Sequence, residues 1–141
     1  MKIYEGNIGK IYVSRLNYGS DLLDSIKTLA KEKSIKAGIF FLIGAVSQAK
    51  FGYYDQKNKR YKVLEVNEPM EIVSCIGNVS WINNNIVIHA HIIFAKENGE
   101  SLGGHLIEGT KVFAGELFMV EIEGVKLVRG YDELTGLNQI L

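Results

Sequence analysis

Net charge is what this chain most plainly lacks. Sixteen Lys and Arg residues balance sixteen Asp and Glu, for a formal charge of zero, so the chain as a whole is not pulled toward phosphate backbones or anionic membranes. Cysteine is nearly absent: Cys75 alone closes no internal disulfide, and in the run Ile72-Val73-Ser74-Cys75-Ile76 it reads as a small buried thiol. Long apolar runs are missing as well. The longest, Gly38 to Val46, is about half of what a membrane span needs, and Met1 to Gly6 carries no apolar stretch of the signal-peptide kind. The expectation is a soluble, cytoplasmic protein.

What is present is an ordinary globular mixture, 47% hydrophobic and 23% charged over 141 residues. That length suits one domain, and that composition excludes a disordered, collagenous or coiled-coil chain. Residues 8 to 16 read as a strand ending at the turn Asn17-Tyr18-Gly19. Ser20 is then a plausible N-cap for a helix in which Leu22, Leu23, Ile26, Leu29 and Ala30 recur at helical spacing, with Asp21 and Asp24 in the first turn.

After Gly38 the pattern is that of strands. Ile39 to Ile43 is a short apolar run suited to a central strand. Ala49 to Tyr54 and Arg60 to Val66 flank a polar loop, which predicts a hairpin. Met70 to Ile76 and Asn78 to Trp81 lie on either side of Gly77, where a bulge or kink is expected. Asn83-Asn84-Asn85 turns the chain into Ile86 to Ala95, the strongest strand, and Asn98-Gly99 turns it back into Leu102 to Ile107. Lys111 to Val120 and a short strand around Lys126 to Val128 complete the set. The fold class is α+β: a single domain with an antiparallel sheet of about eight strands and one helix. One helix covers only part of such a sheet, so a homo-oligomer is expected to close the rest.

The chemistry concentrates in three histidines, His89, His91 and His105. His89 and His91 are two apart on a strand and share a face. With a two-residue turn at Asn98-Gly99, His105 would oppose Ile92 and point the other way. One extra loop residue, or a bulge at Gly103-Gly104, brings it onto the same face. Three neutral imidazoles there suit Zn²⁺ with an open fourth position. The alternative is structural: two histidines hydrogen-bonded on a wet face and the third packed beneath.

Glu108 is the candidate general base, fourth ligand or hydrogen-bond partner of an imidazole, with Glu68 and Glu71 behind it. A catalytic form of such a site would be a zinc-dependent lyase or hydrolase. Arg15, beside Tyr12 and Tyr18, could clamp a carboxylate or phosphate. Lys50, Lys57, Lys59, Arg60 and Lys62 surround the aromatics Phe51, Tyr53, Tyr54 and Tyr61, the best nucleic-acid candidate in the chain. The less specific reading is an amphipathic hairpin with a solvated edge. No nucleophile elbow, phosphate-binding glycine loop or Cys-x-x-Cys is present.

Gly-Ile-Phe-Phe-Leu-Ile-Gly-Ala-Val (38 to 46), Phe-Gly-Tyr-Tyr-Asp (51 to 55), Glu71 through Gly77-Asn78-Val79-Ser80, His89-Ala90-His91 and Gly103-Gly104-His105-Leu106, in this order, resemble the PPC or "plants and prokaryotes conserved" domain. The resemblance covers residues 5 to 130 and leaves 131 to 141 as a tail. It implies a compact α+β domain assembled as a homotrimer. In plants the domain follows AT-hooks in nuclear DNA-binding proteins, which implies a DNA-associated or assembly role as the alternative to metal chemistry. The Arg-Gly-Arg-Pro hook is missing here, Pro69 being the only proline, so minor-groove binding does not carry over. The fold is also similar to that of acetolactate decarboxylases, whose His-x-His pair and later histidine hold zinc. That likeness implies zinc on His89, His91 and His105, beside an unidentified small ligand, and favours the shifted register.

Overall fold

The computed structural model describes residues 2–141. Its first strand, β1 (Asn7–Arg15), leads through a turn into α1 (Leu22–Glu32). Asp21, not Ser20, is the N-cap: its carboxylate accepts from the Asp24 backbone N–H at 3.0 Å. Ser20 is occupied one step earlier, its hydroxyl donating to the Asn17 carbonyl. Leu22, Ile26 and Ala30 form the buried stripe of the helix, the spacing one apolar face requires.

The remaining strands are β2 (Gly38–Asp55), β3 (Arg60–Val66), β4 (Met70–Ile82), β5 (Asn85–Ala95), β6 (Ser101–Leu106), β7 (Lys111–Glu123), β8 (Arg129–Asp132) and β9 (Leu137–Ile140). Seven of them form one antiparallel sheet in the order β1-β7-β2-β4-β5-β6, with β3 on the distal half of β2. β6 also pairs with that half of β2, Gly52 opposite His105 and Phe51 opposite Leu106, so the sheet curls back on itself. The core lies on the concave side under α1 and is filled by Phe40, Leu42, Cys75, Ile92, Phe94 and Leu117 among others.

Two segments expected as pairs of strands are single long ones. β2 runs unbroken through Gly44, where a register shift against β4 and a φ of 146° let the strand bend. A Cβ there would sit 2.2 Å from the Ala114 carbonyl, so only glycine fits. β4 runs through Gly77 without a bulge; the irregularity lies between Ile72 and Ser74. Gly77 permits close approach instead, since a Cβ would come within 2.4 Å of both the His89 carbonyl and the Phe40 ring.

Beyond β7, residues 126–128 are not a regular strand. Val128 makes only an isolated bridge to Trp81, and the strand begins at Arg129. Residues 131–141 belong largely to the β8–β9 hairpin, turned by Asp132, whose carboxylate accepts from the Thr135 backbone N–H and hydroxyl.

The convex face of the sheet is apolar and, away from the β8–β9 hairpin that lies over His89, uncovered. Across it runs a row of directly opposed residues, Val13, Phe118, Phe41, Ile76, His91 and His105. Opposed residues of an antiparallel ladder point to one side. Val13, Phe41 and Ile76 are 66%, 50% and 63% exposed. Among the described residues no helix is long and apolar enough to cross a membrane.

Candidate metal centre

The site is set by the β5–β6 turn. The Lys96 N–H donates to the Glu100 carbonyl at 2.9 Å, and the Gly99 N–H closes the turn on the Lys96 carbonyl with φ 81°. The loop is therefore three residues, Glu97 to Gly99, the form in which a left-handed glycine follows a type I turn. The extra residue shifts the register by one, and His91 faces His105 directly. The expected alternative, a bulge at Gly103-Gly104, is not used; both glycines lie in an unbroken ladder. They are small for clearance: a Cβ on Gly103 would be 2.0 Å from the Ile92 carbonyl, and one on Gly104 2.4 Å from that of Gly52.

His89, His91 and His105 thus converge, each offering a nitrogen within 4.8 Å of the others. Their ring centroids are 5.1 to 5.6 Å apart. On a tetrahedral zinc with Zn–N of about 2.0–2.1 Å, ligand nitrogens lie somewhat closer together than that limit, a difference within reach of side-chain rotation. Burial lowers the His105 pKa to about 4, aided by His89, His91 and Arg129. His89 is also lowered, by burial first and then by Arg129 and His91. Both are neutral near pH 7, the form a metal requires. The Nδ1 of His105 is buried without a hydrogen-bond partner, an unusual state for an imidazole nitrogen and one that a metal ion would relieve. The donor set therefore fits a divalent ion of the zinc class.

Two neighbours complete the site. Tyr61 on β3 lies over Gly52 and against His105, centroids 5.0 Å apart. Arg129, the first residue of β8, places Nη2 3.3 Å from His89 Nδ1. Its other bonds go to the Ser80 hydroxyl, the Asn78 side-chain oxygen and the Asn138 carbonyl. Beside the imidazoles lies a cavity of about 230 Å³ whose walls include Ile82, Val87, Ile88 and Leu137.

The other candidates lie elsewhere. Glu108 is exposed in the turn after β6 and is not among the groups that converge with the histidines. Its turn is anchored at the far side, where the Gly109 N–H donates to Asp21. Glu68 pairs with Lys96 at 3.1 Å. Glu71 is exposed opposite Ala95, the end of β5 remote from His89. Arg15 ends β1 opposite Glu116, across the sheet from the triad. In the basic hairpin, Lys62 approaches Asp55 and Lys59 donates to the Glu133 carbonyl.

Arg129 escaped the sequence reading because only the tertiary path of the last hairpin brings it to His89. A local signal for that hairpin does exist: Asp132 and Gly136, two turn-favouring residues four apart.

Comparison with known proteins agrees with this architecture. The family model of the Plants and Prokaryotes Conserved (PCC) domain matches residues 3–123. A metal-containing protein of Archaeoglobus fulgidus is 42% identical, with a TM-score of 0.95 over 100% of this chain and 99% of its own. A plant- and prokaryote-conserved protein of Pyrococcus horikoshii is 34% identical, with a TM-score of 0.91 over the same shares. A candidate DNA-binding protein of Bacteroides thetaiotaomicron is 29% identical, with a TM-score of 0.85 over 96% of each chain. Among curated proteins, the bifunctional protein GlmU of Synechococcus sp. (strain JA-2-3B'a(2-13)) is 28% identical over 129 residues. The chain spans about a fifth of the length of such relatives, 19% in that case.

Proposed function

The chain belongs to the Plants and Prokaryotes Conserved domain family, and on that premise we propose that it binds one divalent metal ion, zinc, through His89, His91 and His105. The observation that carries the proposal is the orphaned, buried Nδ1 of His105 beside two further imidazoles. A structural trio would be expected to satisfy that nitrogen. Three neutral ligands leave a coordination position for a small molecule, and a zinc ion bound there supplies polarisation of a ligand oxygen or activation of water. The chain's own residues orient and enclose: Tyr61 covers one side of His105 and the β8–β9 hairpin closes the other.

The relatives include a candidate DNA-binding protein, and a DNA-associated role is the competing reading. The metal reading is preferred because the chain is neutral overall and because Lys59 and Lys62, two of the bases that reading would use, are engaged within the protein.

Assembly is the second part of the proposal. The row from Val13 to His105 crosses a bare apolar face, and a homotrimer that buries it would place the metal centre at the rim of the subunit boundary.

The test is elemental analysis of tag-free protein, wild type and His91→Ala. About one zinc per chain is expected in the first and none in the second, with the fold retained. Undiminished metal in the variant would overturn the assignment.

A further inference from the structure

Arg129 carries a charge that the protein does not balance. Burial lowers its pKa, yet a guanidinium stays protonated in proteins. A partly buried charge normally has a charged partner. Here every group it touches is neutral: Ser80, Asn78, the Asn138 carbonyl and His89. Among the described residues it forms no ion pair, and no carboxylate lines the adjoining cavity.

A metal ion makes the imbalance worse. Three neutral imidazoles leave a divalent ion its full charge, and Nη2 of Arg129 lies 3.3 Å from one of the ligand rings. Two cationic centres this close, in a half-buried site, repel strongly unless an anion lies between them. The guanidinium has donors to offer such an anion. Of its five N–H groups, three point at oxygens and one at His89, so one is uncommitted, and the one at His89 is released if the metal takes that nitrogen.

We propose that Arg129 and the metal position together form an anion site whose ligand is a small aliphatic monocarboxylate. The inference rests on the metal reading for one of its two anchors and on Arg129 for the other. The size of the cavity, about 230 Å³, is below the usual range for drug-sized ligands. Ile82, Val87, Ile88 and Leu137 on its walls suit a short hydrocarbon body, while Arg129, His89 and His105 gather at the polar end. A carboxylate head with a few carbons behind it matches both ends.

Linkage makes this measurable without an assay of turnover. An anion that bridges both cations tightens metal binding by the same factor by which the metal tightens the anion. Zinc affinity is measured by competition with a chromogenic chelator, alone, with butyrate, and with butyramide as the uncharged isostere. Butyrate is expected to tighten zinc about tenfold or more, the scale of a charge-assisted hydrogen bond, and butyramide is expected to do nothing. In Arg129→Gln, zinc should bind more tightly than in wild type without butyrate, and the butyrate effect should vanish. Equal effects of butyrate and butyramide on the wild-type chain, or a full butyrate effect in the variant, would overturn the proposal. The wild-type comparison stands even where the variant does not fold.

If wild-type protein takes up no zinc, the metal reading fails by itself. Butyrate is then titrated against the metal-free chain by NMR. Shifts at His105 and Asn138 that disappear in Arg129→Gln would support the anion anchor, while no shifts, or shifts unchanged in the variant, would overturn it. Phosphate run in parallel separates a carboxylate site from a general oxyanion site; tighter response to phosphate than to butyrate overturns the carboxylate assignment.

Discussion

His91 stands directly opposite His105 because the loop that joins their strands, closed by Gly99 in a left-handed conformation, is three residues long. The link is geometric: side chains alternate with a period of two, so one loop residue decides which face His105 occupies. A site of three histidines thus depends on the length of a loop that touches none of them.

Two glycine substitutions should separate this turn effect from a packing effect. At Gly99 a Cβ meets nothing within 4 Å, so Gly99→Ala bears only the cost of a positive φ, about 1 kcal/mol. At Gly103 the Cβ would lie 2.0 Å from a backbone oxygen, and backbone must move, at about 2–3 kcal/mol or more. Urea denaturation should rank the two in that order. Zinc binding should survive in Gly99→Ala and weaken in Gly103→Ala, since β6 carries His105.

The strand alternation of His89 and His91 and the Asn83-Asn84 turn were legible in the sequence because each depends on residues close together in the chain, whereas the one-residue register shift that recruits His105 was open there, since Asn98-Gly99 suits a two-residue turn as well as the three-residue loop found. Both asparagines of that turn have positive φ, as a two-residue hairpin demands. What was not legible depends on distant contacts. Gly77 and Gly103 are glycines because another strand's carbonyl passes close by, and local pattern reads such positions as bulges. Asp21 outcompetes Ser20 for the cap because its second carboxylate oxygen also accepts from Gly109, 88 residues on. Arg129 reaches His89 only after the last hairpin has folded over the sheet.

Acidification should destabilise the metal-free protein through His105. Its unfolded form titrates near 6.5 and its folded form near 4. Above 6.5 both forms are neutral and the residue contributes no slope. As pH falls from 6.5 toward 4, the unfolded chain binds the proton that the folded one excludes, so stability declines. His89, shifted the same way, adds to the trend. Urea midpoints of the metal-free protein at several pH values in that window should fall more steeply for wild type than for His105→Gln; parallel curves would contradict the assignment.

Cys75 should be chemically silent in the folded protein. It is fully buried between β2 and β5, opposite Leu42 and Ile92, and burial pushes its thiol up to about 12. The thiolate is the reactive species. An aromatic disulfide reagent at pH 8 should release no chromophore from native protein and one equivalent after denaturation.

Phe41 is the residue on which assembly should hinge. It stacks on Phe118, centroids 5.0 Å apart and rings 8° from parallel, and is half exposed at the middle of the bare row. Aromatic residues at the centre of an interface contribute more than those at its rim. A carboxylate there costs little in a monomer, where it faces water, but would be unpaired in an assembly that buries the row. Phe41→Asp should therefore lower the mass measured by light scattering from that of a trimer to that of one chain, while circular dichroism stays that of the wild type. The zinc content of that monomer is equally informative. His89, His91 and His105 all come from one chain, so metal should be retained, and its loss would mean that a neighbouring subunit helps to hold it.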